Sequence, residues 1–279
     1  MSETLPLAGR RVGITADRRW RNQADLLENL GAEIIHGPTI RTVDLSGDEA
    51  LRRVTVDLVD RPPDFVVGTT GMGMTMWLEA AEAWQLAGPL REALRQGRII
   101  ARGAKATSAL RRQGFEVAWQ APSETMDEVV DFLIGEGIES SRVALQLFDP
   151  GGHSSTVALA ARCGDLVEVP VYRWLMPDDT GPATRLIEAM CAGGVDAVTF
   201  TSQPAVHHLF RIAEGLGRAD DLRVACNGAV LPVCVGSVCA DAALAEGITR
   251  PVWPDPPRLV AMIRLVASQL GSAAGPPVR

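Results

Sequence analysis

The 279 residues contain one tyrosine, Tyr172, in the run Val169-Pro170-Val171-Tyr172-Arg173-Trp174. A phenol ionises at about pH 10, so at neutral pH it holds a proton that can be passed to a leaving group. The same residue equally suits a structural role with its hydroxyl hydrogen-bonded in a core. Gly71-x-Gly73 and Gly151-Gly152 suit backbone amides that cradle phosphate or a carboxylate at a helix start. Neither is a Gly-x-Gly-x-x-Gly or a P-loop, so turn-forming glycines are the first reading and anion binding the second. His207 and His208 are adjacent, point to different faces of a helix, and make a poor metal pair. Solvated or helix-packing histidines fit them better. His36 and His153 have no cysteine or carboxylate at ligand spacing. There is no Gly-x-Ser-x-Gly, no His-Glu-x-x-His and no obvious acid pair. The residues call for no metal, cofactor or covalent nucleophile.

Composition sets the frame for that chemistry. With 47% hydrophobic and 22% charged residues the chain reads as soluble and globular, folding as one large domain or two smaller ones. No apolar run approaches the roughly 20 residues that span a membrane. The N-terminus has neither the basic start nor the apolar core of a signal peptide. Five cysteines with no Cys-x-x-Cys pair fit free thiols in a reducing cytoplasm. A net charge of −7 argues against nucleic-acid binding over the whole surface. Arginines beside expected loops (Arg18, Arg19, Arg21, Arg41, Arg102, Arg173) leave a basic cleft open.

The elements that position these residues alternate. Strands are expected at 10–16, 32–36, 64–68, 98–101, 142–147, 166–169 and 196–200. Helices are expected at 23–30, 48–59, through Trp77 and Ala81, at 88–96, up to Arg112, and at 127–135, 154–162, 182–192, through His208 to Ala213, 236–247 and 258–270. Ala24, Leu26, Leu27 and Leu30 have helical spacing, for example, and Gly31 sits where a C-cap glycine belongs. Turns are read at 69–73, 149–152 and 201–204. Arg223–Cys226 and Pro232–Val235 flank Asn227-Gly228. Pro251–Pro257 reads as a loop and 271–279 as a disordered tail. Strand–helix alternation of this kind predicts an α/β fold with parallel sheets.

The chain also repeats itself. Pro38-x-x-Arg41 matches Pro170-x-x-Arg173, with Ile40 where Tyr172 stands. Val12 matches Val143, Gly31 matches Gly164, Asp64 matches Asp196, Thr69 matches Thr201, Gly103 matches Gly236 and Gly114 matches Gly247. A nearly constant offset over such a length means two related units. Ligands of open parallel sheets bind beyond the carboxyl ends of the strands, which places a site at the Thr-, Ser- and Gly-rich turns.

Several runs resemble the uroporphyrinogen-III synthases. They are Val12-Gly-Ile-Thr15, Asn29-Leu-Gly-Ala-Glu-Ile34 with Gly37-Pro38, Val171-Tyr172-Arg173, Asp196–Val206 and Cys234–Ile248. The resemblance covers residues 10–270. It implies two α/β parallel-sheet domains joined by two antiparallel extended linkers. Domain 1 would be 1–38 with 175–270, domain 2 would be 44–169, and the linkers 39–43 and 170–174. The implied reaction cyclises the linear tetrapyrrole hydroxymethylbilane to uroporphyrinogen III with inversion of ring D. It passes through an azafulvene and a spiro intermediate, without cofactor or metal. Tyr172 matches the family's favoured proton donor. The eight substrate carboxylates would be held by Thr15, Arg18, Thr69, Thr70, Gly71, Arg102, Gly103, Lys105, Thr107, Thr201, Ser202, Gln203, Gly236 and Ser237. A cytoplasmic monomer serving haem, sirohaem or corrinoid supply is implied, with no membrane or nucleic-acid partner for this chain.

Two features depart from the family pattern. Ala106 (with Thr107 beside it) and Cys239 stand where Gly-x-x-Thr-Ala has its threonine. Gly68–Gly73 replaces a Phe-Thr-Ser-x-x-Ala run. Both resemble a branch of synthase-like domains fused to a C-terminal winged-helix regulator, so a non-catalytic tetrapyrrole-sensing domain is the alternative.

Overall fold

Strands buried along their whole length belong in sheets covered on both faces, and the runs Phe65–Gly68 and Arg142–Leu147 are buried throughout. The computed structural model describes residues 5–147 and 154–271. Its elements in chain order are β1 (Arg11–Ile14), α1 (Trp20–Glu28), β2 (Glu33–His36), β3 (Arg41–Asp44), α2 (Glu49–Asp60), β4 (Phe65–Gly68), α3 (Gly71–Ala83), α4 (Ala87–Gln96), β5 (Arg98–Ala101), α5 (Ala104–Arg112), β6 (Trp119–Gln120), α6 (Met126–Gly135), β7 (Arg142–Leu147), α7 (Ser154–Ala160), β8 (Asp165–Pro170), β9 (Tyr172–Leu175), α8 (Gly181–Cys191), β10 (Ala197–Phe200), α9 (Gln203–Gly215), α10 (Ala219–Asn227), β11 (Leu231–Cys234), α11 (Ser237–Ala245) and α12 (Leu259–Gly271).

The chain divides into two units: residues up to Thr42 with those from Leu175 on, and Val43–Trp174. The first unit holds a sheet of order β11-β10-β1-β2, the second a sheet of order β6-β5-β4-β7-β8, and the described pairs in both are parallel. β3 and β9 pair with each other in a sheet of their own.

In the second unit the period of two along each strand sorts side chains into two cores. Val66, Ile99, Ala101 and Ala144 join one, with Trp77, Leu90 and Tyr172. Phe65, Val67, Ile100, Val143 and Leu145 join the other, with Val129, Leu133 and Leu159. In the first unit Val12, Ile14, Ala197 and Val233 pack with Leu27, Met262 and Val266 on one face. On the other face α8 comes so close that a Cβ on Gly13 would stand 2.7 Å from Leu186 Cδ1.

The repeat read from sequence is a repeat of register. Val12 pairs with Ala197 as Val143 pairs with Phe65, and Ala197 pairs with Leu231 as Phe65 pairs with Arg98. It reaches further than the sequence matches: the isolated bridge Val233–Val252 is the copy of Ile100–Trp119 in β5–β6. Asp64 and Asp196 recur for one purpose. Each carboxylate accepts a backbone N–H at the start of the neighbouring strand, from Arg142 at 2.7 Å and from Arg11 at 2.8 Å.

Several expectations need correction, among them the turn read at 201–204, where α9 already begins at Gln203. The turn read at 69–73 is shorter, because Thr70 caps α3 by accepting from the Gly73 N–H and the helix already begins at Gly71. Gly71 and Gly73 are therefore helical close-packing positions rather than turn formers. Of the segments flanking Asn227-Gly228, Arg223–Cys226 lies inside helix α10 and the later one holds strand β11. The short strand β6 was not anticipated from its two residues. Gly151-Gly152, His153 and residues 272–279 lie outside the described residues. No helix among those described is long and apolar enough to cross a membrane.

A first test concerns α2, whose N-cap Asp48 accepts from Ala50 N at 2.7 Å. Asp48→Ala should lower stability by about 1 kcal/mol in a denaturant titration, the usual loss for such a cap.

Candidate active site

Parallel register gathers the site residues of the second unit. Gly68 pairs with both Ala101 and Gln146, so the chain leaves β4, β5 and β7 at one edge of the sheet. There Thr69 is buried and its hydroxyl donates to the Gln146 carbonyl at 2.7 Å. Thr70 is half-buried as the N-cap of α3, and Gly71 follows it at the first helical position. Gly103 is the extended N-cap of α5. Lys105 is exposed in the first turn of α5, and Thr107 donates to Gln120 Oε1 at 2.6 Å.

Tyr172 belongs to this edge. Its ring is only 1% exposed, set edge-on against Trp174, with the ring centroids 5.6 Å apart. Its hydroxyl donates to Thr70 Oγ1 at 3.3 Å. Burial pushes the Arg102 guanidinium below its usual pKa, while the neighbouring Tyr172 phenol and Glu124 carboxylate push it up again. Arginine stays charged through such shifts, so a fixed cation stands near the phenol.

In the first unit Thr15 and Arg18 follow β1, Thr201, Ser202 and Gln203 follow β10, and Gly236 and Ser237 follow β11. These three strands are neighbours in the sheet, so their turns also share an edge. Thr15 is fully buried and its hydroxyl donates to the Thr199 carbonyl at 2.8 Å. Arg18, Gln203 and Ser237 are exposed. Ser202 is the N-cap of α9, and its buried Oγ has no hydrogen-bond partner. Gly236 is the extended N-cap of α11, copying Gly103, and Pro257 would stand 2.9 Å from a Cβ there.

The departures from the family pattern are also placed. Ala106 and Cys239 occupy the third positions of α5 and α11 and are buried. The hydrogen bond with Cys239, together with burial, raises the pKa of the Cys234 thiol and keeps it protonated. The histidines are spent elsewhere: His207 Nδ1 meets Glu246 at 2.6 Å and His208 Nδ1 meets the Thr39 carbonyl at 3.0 Å.

Two residues at the second unit's edge escaped the sequence reading. Glu124 takes a left-handed backbone (φ 59) and its carboxylate accepts from Ala104 N at 3.0 Å, at the positive end of α5. Gln146 ends the otherwise apolar core of β7 and is fully buried. A lone amide inside an apolar strand was the available signal for Gln146. Glu124 has no such mark, because its loop geometry is not encoded locally.

A family model described as uroporphyrinogen-III synthase HemD matches residues 22–264. Similar relatives include the Bacillus subtilis (strain 168) protein YjjA, itself uncharacterised, 28% identical over 260 residues that cover 92% of this chain and 94% of that one. A mutant uroporphyrinogen III synthase from the extremely thermophilic bacterium Thermus thermophilus is similar with a TM-score of 0.75 at 29% identity, covering 94% of this chain and 99% of its own. The uroporphyrinogen-III synthetase of Helicobacter pylori 26695, 15% identical with a TM-score of 0.52, shares the fold over 93% and 99% of the two chains. Two parallel-sheet units in repeated register, and a family model spanning most of their length, lead to one assignment: the chain belongs to the uroporphyrinogen-III synthase HemD family.

Proposed function

We propose that the chain is a uroporphyrinogen-III synthase, a hydro-lyase that cyclises hydroxymethylbilane with inversion of ring D and without a cofactor. The observation that carries this is the Tyr172 phenol, 3.3 Å from Thr70 Oγ1 at the carboxyl edge of a parallel sheet and near the Arg102 cation. Tyr172 gives its proton to the terminal hydroxyl of the substrate, the carbon–oxygen bond breaks, and water departs to leave the azafulvene in its N-protonated, cationic form. The positive charge of Arg102 stabilises the phenolate left behind, which strengthens the acid. The azafulvene closes through the spiro intermediate, and the proton released on rearomatisation restores the phenol.

Each unit offers its turns and helix starts to carboxylates. These are Thr69, Thr70, Gly71, Arg102, Gly103, Lys105 and Thr107 in one, and Thr15, Arg18, Thr201, Ser202, Gln203, Gly236 and Ser237 in the other. The unpartnered Ser202 hydroxyl supports this reading most directly, because a buried hydroxyl without a partner is costly and a carboxylate would relieve it. In Thr15 and Thr69 the side chain orders the turn and its own proton is already bonded.

A second reading, a tetrapyrrole-sensing domain without turnover, draws on the missing hydroxyls at Ala106 and Cys239. One experiment separates the two. The purified chain is given hydroxymethylbilane and the products are oxidised and resolved into type I and type III isomers. An excess of type III over the spontaneous type I is expected. Type I alone would sink the enzymatic reading.

A further inference from the structure

The Gln146 amide is engaged on both sides. Its Oε1 accepts from Thr70 N at 3.0 Å and lies 3.1 Å from Thr69 Oγ1, whose proton goes to the Gln146 carbonyl, and 3.4 Å from Thr70 Oγ1. Its Nε2 donates to the Leu147 carbonyl at 2.8 Å. Turning the amide over would aim its NH2 at the Thr70 N–H, donor against donor, so its orientation is set. Room for it comes from Gly73, where a Cβ would stand 2.1 Å from Nε2. Thr70 Oγ1 in turn accepts from Gly73 N at 3.1 Å and from the Tyr172 hydroxyl at 3.3 Å. With both lone pairs facing donors, the single Thr70 hydroxyl hydrogen points at Gln146 Oε1.

We infer that Gln146 is a positioning residue for Tyr172, acting through Thr70: it holds the Thr70 hydroxyl as an acceptor, which aims the phenol O–H and keeps it protonated until the reaction takes the proton. The inference rests on Tyr172 being the acid of the proposed reaction. Once Tyr172 is a phenolate, Thr70 Oγ1 faces an anion in place of a donor. The Thr70 hydrogen then swings from Gln146 Oε1 to the phenolate, and Oε1 keeps the Thr70 N–H. No proton changes residue in that swing. A neutral hydrogen bond is exchanged for a charge-assisted one.

The other copy of the repeat lacks the device. Thr15 stands in place of Gln146, Ser202 in place of Thr70 and Ile40 in place of Tyr172. Thr15 bonds to the Thr199 carbonyl, and Ile40 has no hydroxyl to aim. The relay is therefore peculiar to the unit that carries the phenol, and simple inheritance of the fold does not account for it.

Because Tyr172 is the sole tyrosine, the tyrosinate absorbance of the intact protein reports this residue alone. The charged groups facing it, Arg102 after β5 and Glu124 beside Arg102, are kept in every variant. Gln146→Met removes the acceptor at similar volume and frees the Thr70 hydrogen for the phenolate. Tyr172 should then ionise at lower pH than in the wild type. The kcat for type III formation should fall about tenfold with KM little changed, a fraction of what a positioned acid contributes. Gln146→Glu grips the same hydrogen harder and adds a negative charge, so Tyr172 should ionise at higher pH. Displacements of opposite sign support the inference, since general loosening would move both variants the same way.

Two unmoved midpoints, or two moved in one direction, overturn it. Where a Gln146 variant does not fold, Thr70→Val replaces it. Loss of the donor to the phenolate should raise the midpoint, Thr70→Ser should restore it, and a Thr70→Val midpoint at or below the wild type overturns the inference. Type I product alone from the wild type would instead remove the proposed function, whatever the tyrosine titration shows.

Discussion

Tyr172→Phe should lower the rate of type III formation by roughly 100-fold or more, the scale on which a positioned general acid contributes. Its effect on the fold should be small. The ring keeps every apolar contact in its buried setting, and the hydroxyl gives up its hydrogen bond of 3.3 Å to Thr70. Losing that bond costs about 1 kcal/mol, whereas a 100-fold loss of rate corresponds to about 2.7 kcal/mol in the barrier. The two magnitudes separate chemistry from stability. Single-turnover assays with isomer resolution would measure the first and a denaturant titration the second. An unchanged rate of type III formation would take Tyr172 out of the mechanism. A midpoint lowered as far as the rate would make its role structural.

Gly71→Ala should destabilise the protein by about 3 kcal/mol, at the upper end of the usual range for overpacking. A Cβ at Gly71 would stand 2.3 Å from the Lys105 carbonyl oxygen and 2.9 Å from its carbon. These are backbone atoms of α5 and cannot swing aside, so α3 and α5 would have to separate. The separation would also move Gly103 and Arg102 at the start of α5. Gly88→Ala in α4 is the matched control, because a Cβ there meets nothing within 4 Å. It should be neutral or stabilise by about 1 kcal/mol, the helix-propensity gain of Ala over Gly. Chemical denaturation of both variants tests the contrast. Equal midpoints for Gly71→Ala and wild type would show that the two helices are not locked at that distance.

Much of the fold was legible because it depends on local pattern. Alternation of apolar strands with amphipathic helices predicts parallel sheets, and both sheets are parallel. Elements with clear punctuation were found close to their bounds, as with Gly114 and Gly247, which end their helices in positive φ. The helix over Ala219–Asn227 is not among the expected elements, because nothing local marks Asn227-Gly228 as a helix end. The start of α3 was misplaced for a related reason. Two glycines in one turn read as loop, but here they allow close approach to Lys105 and Gln146.

By itself the sequence determined the α/β class, the twofold repeat and the singularity of Tyr172, since periodicity, spacing and composition are properties of the chain. The repeat also implies that the two units share one register, and Val12–Ala197 and Val143–Phe65 do. The tertiary structure alone decided what surrounds the phenol. Thr70, Arg102 and Gln146 reach Tyr172's edge from three different strands, and Glu124 reaches Arg102 from the loop before α6. Their meeting depends on Gly68 pairing with both Ala101 and Gln146. Parallel pairing is set by contacts far apart in the chain, and no local pattern carries that information. The tyrosine that stood out as a lone residue is thus a buried ring with a guided hydroxyl, and only the folded sheet supplies its guides.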